Sequence, residues 1–136
     1  MALVQWSEKY SVGVRSLDRH HQKLFELLNR LHEAMSAGKA SKVVTGIIGE
    51  LLDYTIYHFE AEERLMSEIS YLGLAEHRKA HQEFVYEVKK YKEMADDGMT
   101  AFLGTVLLNF LRDWLIRHID GMDKKYRKSM NDSGIR

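Results

Sequence analysis

His58 and Glu62 stand four residues apart, as do His77 and His81, while His118 and Asp123 are five apart and a His20-His21 doublet lies further upstream. In a helix, residues four apart sit one turn above each other on one face, so each of the first two pairs can aim two donor atoms at one point. Imidazole nitrogen mixed with carboxylate oxygen suits iron, manganese or zinc better than calcium or magnesium. A single pair is a weak signal, since one histidine on an apolar face is usually a hydrogen-bonded core residue. Three pairs on successive helices imply a metal cluster, because Glu62 occupies an apolar stripe and a buried carboxylate costs several kcal/mol without an opposite charge beside it.

The elements that must position these groups are helices. Proline is absent, so long uninterrupted helices are possible. Leu17, His21, Leu24, Leu28, Leu31 and Met35 alternate by four and three and predict a helix over about 17–37, ending at Ala37-Gly38. A second, over about 41–66, could be capped by Ser41 and carries Val44, Ile48, Leu51, Thr55, His58, Glu62 and Leu65 in phase. Leu74, His77, His81, Phe84, Val88 and Tyr91 predict a third over about 74–96. The fourth, over about 100–129, has Thr100 as a plausible cap, Leu107, Leu111, Trp114 and His118 on its apolar face, and a basic last stretch. Apolar alternation at period two is nowhere sustained. The expected architecture is therefore all-α, an up-and-down left-handed four-helix bundle occupying residues 1–136 as one domain. Residues 1–16 fit no helical pattern and are expected to form an extended arm that lays Val4, Trp6, Tyr10, Val12 and Val14 on the bundle.

Counting along the helices places His21 near the start of the first, His58 and Glu62 near the end of the second, His77 and His81 near the start of the third, and His118 and Asp123 towards the end of the fourth. An up-down-up-down path brings these four regions to one end, so the seven side chains can converge there. His118 and Asp123 do not superpose on an ideal helix, because five residues rotate by about 140°. Either the helix loosens into a π-turn near Gly121, or the two residues approach different ions from different sides. Helical phase does not choose between His20 and His21.

Composition narrows the chemistry. With no cysteine there are no disulfides, thiolate zinc sites or ordinary iron–sulfur ligation, and a cytoplasmic location fits. Twenty basic residues balance twenty acidic ones, giving a pI near 7.1 and no global field for nucleic acid or an anionic membrane. No signal peptide or membrane-spanning stretch is expected, and the lack of a large exposed apolar stripe favours a monomer.

The ordered pattern of Trp6, Leu17-Asp18-x-x-His21-x-x-Leu24, His58-Phe59-x-x-Glu62-x-x-x-Met66, His77-x-x-x-His81 and Trp114-Leu115-x-x-His118-x-x-x-x-Asp123 resembles the hemerythrins, specifically the single-domain bacterial type, over essentially the whole chain. Myohemerythrin is itself a standard example of the up-and-down bundle, so the fold expectation and this resemblance are not independent. The resemblance implies two iron ions. His77, His81 and His118 would hold one, His21 and His58 the other, with Glu62, Asp123 and a solvent-derived oxo or hydroxo group bridging. It also implies dioxygen as the ligand at the one open position, and Phe59, Trp114 and Leu115 as parts of a dry pocket, although plain core packing explains each of those three equally well. His20 stands where a glutamine commonly precedes the ligand. The resemblance selects His21 of the doublet and leaves His20 at the surface or in support of a ligand. His32, lacking a partner at ligand spacing, is expected to be solvated. Asp18 is either a helix cap or a neighbour of the iron.

The leading functional expectation is reversible oxygen binding for storage, transport or delivery to an oxygen-consuming enzyme, rather than catalysis. A di-iron oxidase, peroxidase or nitric oxide-handling enzyme is the main alternative, but carboxylate-rich oxidases use paired Glu-x-x-His, which this chain lacks. An oxygen or iron sensor or store is a further alternative, and would need an output partner. A zinc hydrolase fits least, with no His-Glu-x-x-His and no carboxylate left as base.

Overall fold

Four long helices, α1 (Arg15–Ser36), α2 (Ser41–Glu68), α3 (Leu74–Asp96) and α4 (Thr100–Gly121), are followed by a 3-10 turn (Asp123–Tyr126) and a short α5 (Arg127–Asp132). The computed structural model of the chain describes residues 2–98 and 100–136, apart from the side chains at positions 100–102, 104 and 105, and contains no strand among them. Thr100 as a cap therefore lies outside the described side chains. Each helix packs on its neighbour in sequence, and α4 closes back onto α1. The ring follows from short loops: Gly38 and Gly98 take positive φ just past α1 and α3, a conformation that ends a helix sharply and suits glycine.

The apolar stripes meet inside this ring. Leu24, Leu28 and Leu31 of α1, Ile48 and Leu51 of α2, Phe84 and Val88 of α3, and Leu107 and Leu111 of α4 are all buried. Each such side chain contributes about 1.5–3 kcal/mol on leaving water.

The arm lies on the bundle as its pattern suggests. Val4, Tyr10, Val12 and Val14 are buried and Trp6 half-buried, with the Trp6 and Tyr10 rings edge-on to Phe25. It is not extended throughout, since Glu8–Tyr10 form a 3-10 turn. Asn29 clamps it, accepting from the Leu3 and Val4 N–H groups and donating to the Val4 carbonyl at 2.8 to 3.0 Å. Asp18 neither caps its own helix nor meets the metal-ligand cluster. It accepts from Ser11 Oγ at 2.6 Å and from the Val12 N–H at 2.8 Å, pinning the arm to α1.

Two boundary expectations change. Ala40 rather than Ser41 takes the cap position of α2. The fourth helix does not continue to about 129, because α4 ends at Gly121 and Met122, at φ −122° and ψ −51°, turns the chain into the tighter 3-10 segment. The last basic stretch thus belongs to a separate turn and short helix, whose Asn131 donates to the Gly13 carbonyl at 3.0 Å and ties that end to the arm.

Candidate metal centre

Antiparallel alternation brings His21 of α1, His58 and Glu62 of α2, His77 and His81 of α3, His118 of α4 and Asp123 of the 3-10 turn to one end of the bundle. All seven are buried, His118 the most open at 6 %. The break after Gly121 resolves the five-residue spacing. There is no π-turn: the chain leaves the helix, and Asp123 enters the cluster from its own element.

The two carboxylates divide the histidines into two sets. Glu62 Oε1 faces His77 Nε2 at 3.1 Å and His81 Nε2 at 3.0 Å, and Asp123 Oδ1 faces His77 Nε2 at 2.7 Å and His118 Nε2 at 3.0 Å. The remaining oxygens turn the other way. Glu62 Oε2 lies 3.3 Å from His58 Nε2 and 3.7 Å from His21 Nε2, and Asp123 Oδ2 lies 3.1 Å from His21 Nε2. Two donor groups result, Glu62, His77, His81, His118 and Asp123 in one and His21, His58, Glu62 and Asp123 in the other, with ligand atoms inside each group within 4.8 Å of one another.

Several of these atoms are close without being satisfied. His21 Nδ1 and Nε2, Glu62 Oε1 and Asp123 Oδ2 are buried without a hydrogen-bond partner, although three of them have contacts of 3.0 to 3.1 Å. His21 Nε2, Glu62 Oε1 and Asp123 Oδ2 instead sit among the converging ligand atoms of the two groups. Likewise His118 Nε2 faces His77 Nε2 at 3.0 Å and His81 Nε2 at 3.2 Å, where nitrogens of the same kind crowd together. Orphaned buried polar atoms cost about 1–3 kcal/mol each. A cation in each group removes that cost for His21 Nε2, Glu62 Oε1 and Asp123 Oδ2, and the spacing suits metal–nitrogen and metal–oxygen bonds of about 2.0–2.2 Å. The donor set therefore fits two metal ions that share both carboxylates.

Protons compete for the same lone pairs. Burial alone would depress the His21 and His77 imidazoles, but hydrogen bonds and charge from Asp123 and Glu62 outweigh it and hold both up at about 9. Burial raises the Glu62 and Asp123 carboxyls, yet the imidazoles around them prevail and keep both well below the usual carboxylate range. Burial pushes His58 down. Burial, together with the neighbouring His58 and His21, lowers His20 to about 4.

Aromatic faces hold the larger set in place. Phe59 stacks on His81 at 3.7 Å and 4°, Trp114 on His118 at 4.4 Å and 11°, and Tyr126 on His77 at 5.8 Å and 22°. Phe59, Trp114 and Leu115 also line a small apolar cavity one turn deeper in the bundle, with Leu24, Thr55 and Leu111. Thr55 spends its hydroxyl on the Leu51 carbonyl at 2.7 Å, leaving that wall without a free donor.

Three supporting contacts go beyond the expected ligands. Tyr126, fully buried, donates its hydroxyl to Glu62 Oε2 at 2.8 Å. Glu63 accepts from His81 Nδ1 at 2.8 Å and from Arg78 Nε at 2.9 Å. His20 is half-buried, its Nδ1 3.0 Å from His58 Nδ1. Tyr126 carried a faint signal, three residues beyond Asp123, and Glu63 one in standing beside Glu62, but neither spacing indicates what the side chain touches. His32 is half-buried rather than solvated, with its Nδ1 buried and unpartnered. It takes no part in either donor group.

The bundle agrees with what comparison finds. Residues 12–128 match the Hemerythrin HHE cation binding domain, and the chain belongs to the hemerythrin family. It is 34% identical over 126 residues to a bacteriohemerythrin of Stenotrophomonas maltophilia (strain R551-3), covering 93% of this chain and 80% of that one. A myohemerythrin of Riftia pachyptila is 32% identical over 125 residues, 92% of each chain. A crystal structure of wild-type hemerythrin superposes with a TM-score of 0.85 at 26% identity, covering 94% of this chain and 98% of the other. Among the described residues no helix is long and apolar enough to cross a membrane.

Proposed function

We propose that this chain binds dioxygen reversibly at a di-iron centre, for storage, transport or delivery to an oxygen-consuming enzyme. The observation that carries the reading is the unequal sharing of seven buried donors: three histidines on one side of two common carboxylates and two on the other. His77, His81 and His118 would hold one iron and His21 and His58 the other, with Glu62 and Asp123 spanning both. Two ferrous ions bound there would each supply one of the two electrons that hold dioxygen, and a bridging oxo or hydroxo group would accompany them. The side with fewer imidazoles, His21 and His58, would leave its ion room for a small guest, as open metal sites do.

The remaining residues exclude water and fix orientation. Phe59, Trp114 and Leu115 form the dry wall of the guest pocket, and the cavity they line is small and apolar. Tyr126 holds Glu62 Oε2 in place from the outside. A carboxylate-poor donor set favours binding over oxidation of a second substrate, so the chain acts as a carrier rather than an enzyme, with the cytoplasm as its setting and a monomer as its form. Anaerobic loading with ferrous iron, followed by cycles of oxygen admission and removal, tests this. Two irons per chain and an optical change that reverses on deoxygenation are expected. Fewer than two irons, or continuous oxygen consumption with an added reductant, overturns the reading.

A further inference from the structure

An imidazole that offers Nε2 to a cation carries its proton on Nδ1, and the group accepting that proton's hydrogen bond fixes the ring's tautomer and orientation. The larger donor set meets this requirement at His81, whose Nδ1 lies 2.8 Å from Glu63 Oε2. In the smaller set, His21 Nδ1 is buried without a partner. His58 Nδ1 faces His20 Nδ1 at 3.0 Å, with the rings at 85° and centroids 5.1 Å apart. His20 is itself held by the rings of Tyr54 at 5.9 Å and Tyr57 at 5.3 Å.

We propose that His20 is a positioning residue for the two-histidine side: its Nδ1 accepts the His58 Nδ1–H and so keeps the His58 Nε2 lone pair turned towards the shared carboxylates. The inference rests on the di-iron reading above. Because two like nitrogens face each other, only one can hold the proton. A cation at His58 Nε2 decides which, placing the proton on His58 and leaving His20 with its own on Nε2, where half-exposure lets water satisfy it. Without His20, the neighbouring Glu62 Oε2, 3.3 Å from His58 Nε2, competes for the opposite tautomer, in which the lone pair points away from the cluster.

The direct test uses full-length protein loaded with zinc, a diamagnetic stand-in, and labelled with ¹⁵N in its histidines. Protonation of His58 at Nδ1 and a nitrogen–nitrogen coupling across to His20 Nδ1 are expected. Absence of the coupling overturns the proposal. Chelator competition with ferrous iron then compares the wild type with His20→Gln, whose amide oxygen can accept, and His20→Leu, which cannot. His20→Leu is expected to weaken one of two irons by about 10–100-fold, while His20→Gln stays within a few-fold of wild type. Equal affinity in all three, or an equal loss in both variants, sinks the acceptor role, the latter showing a packing effect alone. Wild type that takes up no metal sinks the di-iron reading as well. Wild type that loads two ions but is matched by His20→Leu sinks only the role of His20.

Discussion

The two sides of the centre are built to different standards of rigidity. On the three-histidine side each imidazole lies against an aromatic face, Phe59 under His81, Trp114 under His118 and Tyr126 under His77, and a carboxylate tied to Arg78 grips His81 from behind. On the two-histidine side His21 and His58 meet edge to face at 4.7 Å and 74°, and the supporting contact is a second imidazole. Stacking fixes a ring's plane, whereas edge contacts allow it to tilt. The three-histidine side is therefore held more firmly than the two-histidine side, a difference that follows from which residues neighbour each imidazole.

Removing the groups common to both sides erases the comparison. Glu62→Leu takes one oxygen from each donor set and should reduce iron from two to one or fewer per chain, as measured by metal analysis after desalting. Metal release tests the same point from the other direction. Ions that bind only the folded chain stabilise it by about 4 kcal/mol at a thousandfold excess over Kd, so holoprotein should melt well above metal-free protein. Equal melting temperatures would contradict a shared cluster.

Acidity distinguishes protons from metal. In the metal-free protein His21 and His77 titrate near 9 instead of 6.5, so their contribution to stability is complete below about 6.5 and is lost as pH rises through 9. His20, lowered to about 4, and His58, also lowered, have the opposite sign: their contribution is present above 6.5 and declines as pH falls. Metal-free protein should accordingly be most stable near pH 6.5 in denaturant titrations. Metal affinity should instead keep rising towards pH 9, because His21 and His77 must release their protons to bind. Parallel trends in the two measurements would show that protons and metal do not share these nitrogens.

The smallest expected effect sharpens the contrast. Tyr126→Phe deletes one hydrogen bond to a buried carboxylate and should cost about 1.5–3 kcal/mol, read from the denaturation midpoint of the metal-free protein. Its donor meets Glu62 Oε2, the oxygen on the two-histidine side, so iron on that side should loosen more than its neighbour.

Much of this was legible in the chain itself. The alternation of Leu24, Leu28 and Leu31 with His21 set the buried face of α1, because side chains three and four apart share one side of a helix. The same arithmetic put His58 with Glu62 and His77 with His81, and the absence of proline with well-placed glycines spaced the helices so that these pairs reach one end. Periodicity failed at Asp123. No helical rotation aligns it with His118, and only the break after Gly121 brings it in from a separate turn.

What the sequence determined by itself was local: helix faces, approximate lengths and the residue types able to hold a cation, all consequences of a fixed rise and rotation per residue. Tertiary structure alone decided which oxygen of Glu62 and Asp123 faces which histidines, that Tyr126 reaches Glu62 across 64 positions, and that His20 backs His58. Such contacts depend on how separate helices are rotated and shifted against one another, and packing of whole surfaces, rather than spacing along the chain, sets those degrees of freedom.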